Sequence, residues 1–380
     1  MKKINLFIFI LLNLLIFSSC KEKRENNNTY YLTKTKDLTL NIDNNTEPYI
    51  RALFPYTDKK GHKYISFQNG FKNQIIFYNI QTKDLAFKIN LDIEGDNGVG
   101  FFLGYYINNL DSIYLTGLHT PEIFCVNNKG EVSQKIYYGK TDDNITLNTF
   151  VSISFFHQPI TKINNKLFIL SECNRWQKPN PVSAIIDLET EKVNNLPFNY
   201  PKFKGANNTK KNAGIELYFS RSFNENEFIY SFFYDEYIYV SSIDHKNIKK
   251  IKAKSKYIDK IVMPNDFNET LKSICENPNY GNLLYDKFRD VYYRVCYPKT
   301  KIDKNENYME LWDFGRKVFS IMILDNNFNI IGETIFPEYT YNSNLMFIDD
   351  EGLYISENHY KNPNYDENKL IFRLFKLHSN

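Results

Sequence analysis

The feature that most constrains the fold is a repeated pattern of short apolar segments. From Tyr30 onward, nearly every apolar segment is a run of four to eight residues rich in Ile, Val, Phe and Tyr, bounded by Asn, Asp, Lys or Gly. Such runs are typical of β-strands, and helical periodicity is nearly absent except for a short stretch from Asp266 to Ile274. The sequence therefore predicts an all-β fold with one short helix.

The strands recur as a unit of two hairpins. In each unit a first strand pair is followed by a second hairpin whose turn contains Asn, Asp or Glu, as in Val126 to Val132 and Ile186 to Val193. The first strands begin near residues 50, 99, 149, 215, 282 and 343, so each unit occupies between 49 and 67 residues. Four antiparallel strands per unit match the blade of a β-propeller, which packs against its two neighbours.

The repeats predict a six-bladed propeller whose ring is closed by the two ends of the chain. The sixth unit supplies three strands before the chain ends, and the strand from Tyr30 to Ile42 is left over. Pairing this N-terminal strand with the last blade would remove the free edge of an incomplete sheet. A seven-bladed ring and a pair of β-sandwiches are the structural alternatives.

The N-terminus has the pattern of a bacterial lipoprotein. A basic start precedes an apolar stretch from Ile4 to Phe17, which is shorter than the roughly 18 to 20 residues that a membrane-spanning helix needs. The next residues end in Cys20, and Phe17 to Cys20 resembles a lipobox, in which the cysteine is lipidated. An ordinary signal peptide with an incidental cysteine is the alternative. The predicted organisation is a signal peptide at 1–19, a lipidated cysteine with a polar tether at 20–29, and a propeller domain at 30–380.

Charge and hydropathy exclude two classes of protein. The chain has 47 basic and 44 acidic residues without a long block of one sign, which argues against a nucleic-acid partner. Its mean hydropathy of -0.48 is too low for a protein that crosses the membrane several times. We therefore expect the protein to contact the membrane through its N-terminal lipid only. The expected location is the outer membrane of the bacterial envelope, on either the periplasmic or the surface leaflet.

The sequence contains no convincing catalytic or metal motif. Six histidines form no HExxH pair, and Gly139-Lys140-Thr141 lacks the earlier glycine of a phosphate-binding loop. Asp92, Glu94 and Asp96 alternate like the start of a calcium loop, but the following glycine stands one place too late for an EF-hand. We expect no cofactor and no catalytic residue, with a different calcium site at this turn as the alternative.

Four cysteines follow Cys20, and their spacing does not fit a structural zinc site. Buried free thiols are the default interpretation, because a chain of this length can bury a sufficient core without disulfides. Cys275 and Cys296 approach the same end of the fifth unit, so a bridge between them is the one disulfide hypothesis.

The long connections of a propeller mark its binding face. Connections between the second and third strands of a blade, and between consecutive blades, emerge at the same end of the ring, which we call the long-loop face. The long connections of this type span residues 172–181, 200–214, 254–281, 297–316 and 357–368. The candidate ligand-binding residues within them are Arg175, Trp176, Trp312, Arg316, His359 and Tyr360. Trp, Tyr and Arg commonly anchor interfaces, although loop aromatics can also simply cover the blade ends.

Several segments together resemble a known family. The lipobox ending in Cys20 and the segments Glu94 to Phe101, Asp111 to Leu115 and Tyr285 to Arg294 resemble the six-bladed propeller lipoproteins of the Bacteroidota, a domain of unknown function. The resemblance implies an envelope propeller and carries over no catalytic residues. We therefore expect a lipid-anchored, non-catalytic protein that binds a protein, peptide or glycan through its long-loop face. The alternative is an envelope hydrolase or lyase that acts on carbohydrate or peptide at the propeller mouth.

Overall fold

The computed structural model describes residues 29–47, 50–147, 154–155, 157–171, 179–203, 218–264 and 267–380. Strands dominate these residues, as the short apolar runs predict, and they form four separate four-stranded sheets and one eight-stranded sheet. The architecture is therefore all-β and propeller-like.

The four separate sheets each use four consecutive strands. The first contains β2 (Arg51–Thr57), β3 (Lys63–Asn69), β4 (Gln74–Asn79) and β5 (Leu85–Asn90), and the second contains β6 (Phe102–Asn109), β7 (Ser112–Gly117), β8 (Glu122–Val126) and β9 (Val132–Tyr137). The third contains β10 (Thr161–Ile163), β11 (Lys166–Leu170), β12 (Ser183–Asp187) and β13 (Val193–Asn195), and the fourth contains β14 (Phe219–Phe223), β15 (Glu227–Phe232), β16 (Tyr237–Ser242) and β17 (Ile248–Lys252).

The eight-stranded sheet has two halves of four strands. One half is β18 (Asn279–Asp286), β19 (Val291–Tyr297), β20 (Ser320–Leu324) and β21 (Ile330–Ile335), and the other is β22 (Asn342–Ile348), β23 (Leu353–Ser356), β24 (Lys369–Ser379) and β1 (Tyr30–Asn41). The N-terminal β1 pairs antiparallel with β24 from Tyr30 opposite Ser379 to Asn41 opposite Lys369. This pairing confirms that the N-terminal strand completes the last set of strands.

The strand ladders of the two halves of the eight-stranded sheet are joined at one paired position. The parallel pairing of β1 with β21 consists of Tyr30 opposite Gly332. A Cβ atom at position 332 would collide with the carbonyl group of Tyr30, so this close approach of two backbones requires glycine.

The apolar core is divided into clusters that lie between neighbouring sets of four strands. For example, Ile75 of β4 packs in one cluster with Leu115 of β7, and Phe168 of β11 packs in another with Phe228 of β15. Further clusters join the second set to the third, the fourth to β18–β21, and β18–β21 to the last set. A sixth cluster joins the last set back to β2–β5, so that the sequence of contacts is cyclic.

Two fully buried arginines tie neighbouring sheets together. Arg221 of β14 donates to the carbonyl oxygens of Phe168 (2.9 Å) and Ile169 (3.3 Å) in the third sheet. Arg294 of β19 donates to the carbonyl oxygens of Ala253 and Asp235, both at 2.7 Å, next to the fourth sheet. Backbone carbonyls accept from the terminal nitrogens of both guanidinium groups, while the Nε of Arg221 has no hydrogen-bond partner among the described residues. Hydrogen bonds of this kind offset the cost of burying a charge, so both arginines have a structural role.

In the described part of the chain, two short α-helices lie in the connections. Helix α1 (Phe267–Glu276) confirms the prediction of a helix near Asp266 to Ile274, whereas α2 (Tyr308–Asp313) was not expected. The side chain of Asn307 caps α2 by accepting from the backbone N–H of Met309 at 2.9 Å. The helices meet through a small cluster of Cys275, Ile302 and Leu311. Among the described residues, no helix is long and apolar enough to cross a membrane.

Candidate functional site

The connections differ in length at the two ends of the strands. Turns between the first and second or the third and fourth strands are short, as at Ile243–Asn247, and we call their end the short-turn face. The five long connections predicted from the sequence all join second to third strands or consecutive sets, and the described strand ends that flank them lie at the opposite, long-loop face. Both helices belong to these connections.

The first strands surround a cavity of about 440 Å³ at the long-loop face, which we call the central cavity. Its wall is mainly apolar and includes Leu53, Leu103, Phe155, Phe233 and Leu345. Three asparagines, Asn282, Asn342 and Asn344, contribute the amide groups of the wall. An apolar cleft with a few polar groups is the usual form of a ligand site, and its volume lies within the typical range of about 300 to 1,000 Å³.

The central cavity lies where the first strands are irregular. The antiparallel register shifts between Arg51 and Phe54 in β2, between Phe102 and Tyr105 in β6, between Tyr280 and Leu283 in β18, and between Asn342 and Met346 in β22. Residues inside these irregular segments line the cavity, namely Ala52, Leu53, Leu103, Asn282, Asn344 and Leu345. A β-bulge breaks the alternation of side chains and can turn one toward a site. The bulges therefore shape the wall.

Gly104 allows the bulge of β6 to meet its neighbour. Its φ angle is +80°, and a Cβ atom there would collide with the backbone of Ser154. Glycine adopts this left-handed conformation without strain, whereas other residues do not. The backbone of β6 can therefore approach the segment that precedes β10.

Helix α2 places two large side chains at the opening of the central cavity. Trp312, predicted from the sequence, is half-buried and packs edge to face on Tyr218, with ring centroids 5.3 Å apart. Met309, one turn earlier on the same helix, also lines the cavity and is 55% exposed. Residues three apart share a helix face, so both side chains can contact the same ligand.

The backbone of β22 holds α2 in position. The side chain of Asn344 donates to the carbonyl oxygen of Trp312, and Gly315 lies against Asn342 with a φ angle of +95°. A Cβ atom on Gly315 would lie 2.8 Å from the Cα atom of Asn342, so the close contact requires glycine. The position of Trp312 therefore depends on β22.

Two asparagines in the cavity wall retain unused hydrogen-bonding groups. Asn282 is only 5% exposed, yet no hydrogen bond joins its carboxamide to another described residue. The Oδ1 atom of Asn342 accepts from the backbone N–H of Asn344 at 2.9 Å, while its Nδ2 has no partner among the described residues. Neither amide belongs to the fully buried side-chain groups that lack a partner in the described chain, so both remain accessible from the cavity.

The predicted residue Arg316 lies beneath the surface. It is 3% exposed, its Nη1 donates to Oδ1 of Asn279 at 2.5 Å, and its guanidinium lies 3.6 Å from the ring centroid of Tyr297. The guanidinium is also 5.4 Å from the ring of Trp312. Arg316 therefore supports the tryptophan from below and is not exposed to a partner.

His359 and Tyr360 belong to a buried polar cluster away from the central cavity. Nδ1 of His359 accepts from the backbone N–H of Lys361 at 3.1 Å, so Nε2 carries the proton and donates to the carbonyl oxygen of Gly315 at 3.0 Å. Burial lowers the pKa of His359 to about 4. The hydroxyl of Tyr360 donates to Glu306 at 3.0 Å, and Lys361 pairs with the same carboxylate. These contacts join the β23–β24 connection to the β19–β20 connection, which is a structural role.

Three further predicted positions, Cys20, Arg175 and Trp176, lie outside the described residues. Of the six candidate binding residues, the structure brings Trp312 to the central cavity and places Arg316 behind it. Met309 and the three asparagines were missed by the sequence analysis. The one available signal was Gly281 beside Asn282, because a glycine inside a strand pattern often marks a bulge.

The predicted disulfide between Cys275 and Cys296 is not formed, since both residues are free thiols. Cys275 lies in α1, where its sulfur is 3.7 Å from the carbonyl oxygen of Tyr308. Cys296 lies in β19 and packs in a different apolar cluster, between the fourth sheet and β18–β21. Burial raises the pKa of Cys275 to about 11, which suppresses its thiolate.

The turn considered for calcium is exposed. Asp92, Glu94 and Asp96 are all at the surface, and the turn is closed by backbone hydrogen bonds such as Val99 N–H to Asp92 C=O at 2.9 Å. In the described part of the chain, no group of three His, Cys, Asp or Glu side chains is placed to hold a metal ion.

Comparison with known proteins identifies related chains. A model of the domain of unknown function DUF4221 matches residues 29–335. A DUF4221 family member from Bacteroides vulgatus ATCC 8482 is similar over 93% of this chain and 99% of its own, with 28% identity and a TM-score of 0.82. A protein from Bacteroides fragilis NCTC 9343, described as exported, is similar over 92% of this chain and 96% of its own, with 9% identity and a TM-score of 0.55.

A weaker similarity is found with an enzyme. A virginiamycin B lyase from Staphylococcus aureus covers 89% of this chain and 99% of its own, with 12% identity and a TM-score of 0.44. That score is too low to support an argument about this chain. No protein of curated function matches.

Proposed function

This chain belongs to the DUF4221 family, and we propose that it is a non-catalytic binding protein of the bacterial envelope that recognises a protein, peptide or glycan through its long-loop face. The observation that carries the proposal is the central cavity, with Trp312 and Met309 at its opening and unused amides in its wall.

Exposed apolar groups around the cavity support a binding role. Met309 is 55% exposed at the opening, and Phe101, in the β5–β6 connection of the same face, is 50% exposed. Large exposed apolar side chains beside a concave site are typical of interaction surfaces. The long-loop face thus offers both a surface and a recess to a partner.

We further propose that the fold is a six-bladed ring. Six sets of four consecutive strands and a cycle of six apolar clusters support this arrangement. In it, the eight-stranded sheet is two adjacent blades that touch where Tyr30 meets Gly332. An experimental structure that shows seven sets of strands, or two stacked sandwiches, would contradict it.

The proposed attachment to the outer membrane rests on Cys20 and on the N-terminal pattern. Metabolic labelling with a radioactive or clickable palmitate should mark the full-length protein, and the Cys20→Ala variant should lose the label. Fractionation of the envelope then tests the outer-membrane location. Labelling that persists in the variant would rule out this anchor.

The binding role is tested by capture of a partner from the envelope of the native cell. The lipidated full-length protein should retain a partner, and the Met309→Ala/Trp312→Ala double variant should lose it. Phe288→Ala is the matched control, because Phe288 is a 50% exposed aromatic residue on the short-turn face. Loss with Phe288→Ala but not with the double variant would contradict the proposal. Turnover of a carbohydrate or peptide by the purified chain would favour the hydrolase or lyase alternative.

A further inference from the structure

We infer that the central cavity is a subsite for an uncharged peptide segment, which places an apolar side chain in the recess and hydrogen-bonds a main-chain amide to Asn282. This inference rests on the proposed binding function and narrows it to one class of ligand. It is carried by three observations on the cavity wall.

The first observation is the unpaired amide of Asn282, which is accessible from the cavity. The side chain is 5% exposed and lines the cavity, but its donor and acceptor have no partner among the described residues. A ligand that covers this amide must supply its hydrogen-bond partners, because an unpaired polar group removed from water is costly. A carboxamide presents one carbonyl and one NH₂ group, which complement the N–H and C=O groups of a peptide bond.

The second observation is the β-bulge in β18, which directs the side chain of Asn282 toward the cavity. Tyr280 is paired with Cys296, but Leu283 is paired with Arg294, so β18 has one residue more than β19 between these pairs. Tyr280 and Leu283 both pack in the cluster toward the fourth sheet, and Asn282 instead lines the cavity. A bulge that directs a polar side chain into a cleft is a common feature of binding sites.

The third observation is the apolar and nearly uncharged character of the wall. Leu53, Leu103, Phe155 and Leu345 contribute aliphatic and aromatic surface, and burial lowers the pKa of His157 to about 4, so this histidine is neutral. Among the described lining residues, Asp313 is the only carboxylate. Such a wall suits an apolar side chain and disfavours an anion.

The same wall favours a peptide over a sugar. Each hydroxyl group of a buried sugar would need its own hydrogen-bond partner, whereas an apolar peptide side chain needs none. The described wall offers few free polar groups, since the Nδ2 of Asn344 is already bound to the carbonyl oxygen of Trp312. Asn282 and the Nδ2 of Asn342 are enough for one amide but not for a ring of hydroxyls.

The test uses the purified mature chain and an array of acetylated, amidated tripeptides with each of the twenty amino acids at the centre. Affinity is measured by isothermal titration calorimetry. We expect peptides with Leu, Ile, Met or Phe at the centre to bind best. For the best peptide, the matched ester, in which an oxygen replaces the central amide N–H, should bind about 5- to 100-fold more weakly.

The protein variants separate the amide from the apolar recess. Asn282→Leu keeps the approximate side-chain volume and should weaken peptide binding about 5- to 100-fold, because it removes both hydrogen-bonding groups. The control is Asn128→Leu, since Asn128 is exposed in the short β8–β9 turn, and its affinity should be unchanged. Thermal unfolding checks the fold, and Asn282→Ala provides a second variant should Asn282→Leu not fold.

Each negative result has a distinct meaning. Equal or tighter peptide binding by Asn282→Leu would overturn the amide role. Absence of binding to every apolar tripeptide would overturn the inference, and so would preferential binding of the N-acetylglucosamine disaccharide. In these cases the binding function itself still stands if the Met309→Ala/Trp312→Ala variant loses the captured envelope partner while Phe288→Ala retains it.

Discussion

The first strands line a recess at each of their two ends, and the two recesses use their polar groups differently. At the short-turn face, a recess of about 330 Å³ is lined by residues such as Phe54, Ile107 and Ile348. Strand pairing there runs without a shift from Phe54 to Thr57 and from Met346 to Ile348. At the long-loop face the same strands are bulged, and the central cavity opens between them.

The contrast is clearest for buried polar side chains. Arg221 and Ser222 belong to the short-turn end, and both donate to backbone carbonyls, as in the 2.5 Å bond from Ser222 to Leu283. The Nε of Arg221 has no hydrogen-bond partner among the described residues. At the long-loop end the amide of Asn282 has no partner in the described chain. Donors bound to backbone carbonyls stabilise the fold, whereas the Asn282 amide lines the central cavity and stays accessible to a ligand.

The largest effect should follow from the removal of a structural polar group. Arg294→Ala leaves several buried carbonyl groups without a donor and opens a cavity, so we expect a loss of about 3–5 kcal/mol in the free energy of unfolding. Urea denaturation measures this loss. The control is Lys249→Ala, an exposed position that should change stability by no more than about 0.5 kcal/mol. Comparable losses in both variants would contradict the structural role of Arg294.

Acid should destabilise the short-turn face and the long-loop face to a similar extent. His245 lies in a short turn and His359 in a long connection, and burial lowers the pKa of each to about 4, with Arg221 and Lys361 adding repulsion. The pKa of each histidine is lower in the folded state than in the unfolded state, where it is near 6.5. Each neutral histidine therefore contributes its full stabilisation to the free energy of unfolding above pH 6.5. This stabilisation is lost as the pH falls toward 4. It amounts to something on the order of 3 kcal/mol per histidine.

Urea titrations at pH 7, 5.5 and 4.5 test this acid response. His245→Gln and His359→Gln should each reduce the dependence of the unfolding free energy on pH. A variant that keeps the full pH dependence would show that the replaced histidine is not buried in its neutral form.

The next largest effect should be a loss of affinity for the envelope partner, with a smaller change in the free energy of unfolding. Trp312→Ala removes an aromatic anchor at the cavity opening, and we expect roughly tenfold or greater loss of affinity for the envelope partner. Because the side chain is half-buried against Tyr218, the stability cost should be about 1–2 kcal/mol. Surface plasmon resonance on captured partner and urea denaturation provide the two values. Unchanged affinity would remove Trp312 from the site.

Much of the framework was accessible from local sequence patterns. Short β-rich runs predicted the strands, the unpaired segment after Tyr30 predicted the partner of β24, and the apolar spacing from Phe267 to Ile274 predicted α1. These features depend on residues close together in the chain or on the need to cover a sheet edge. The long connections could be predicted as well, because the polar segments between the short apolar runs are visible in the local sequence.

The details of the site depend on contacts that a sequence does not reveal. Helix α2 has six residues, fewer than two turns, so its periodicity is too brief to detect. The bulge at Asn282 depends on the register between β18 and β19. His359 stands in a polar segment that resembles a surface loop, but its side chain is fully buried. Cys275 and Cys296 lie toward the same face of the fold, but their side chains pack in separate apolar clusters.

The smallest effect should come from the short-turn end. Ile107→Ala trims a half-buried side chain in that recess, and we expect a stability loss of about 1 kcal/mol with no change in affinity for the envelope partner. The same denaturation and binding measurements used for Trp312→Ala apply. A loss of affinity would show that the ligand also contacts the recess at the short-turn face.

Hydrogen exchange followed by mass spectrometry, with and without the captured envelope partner, locates the recognition surface. We expect new protection in α2 and in the bulged part of β18 around Asn282, and none in the short turns such as residues 243–247. Protection confined to the short turns, with α2 and β18 unchanged, would contradict the assignment of recognition to the long-loop face.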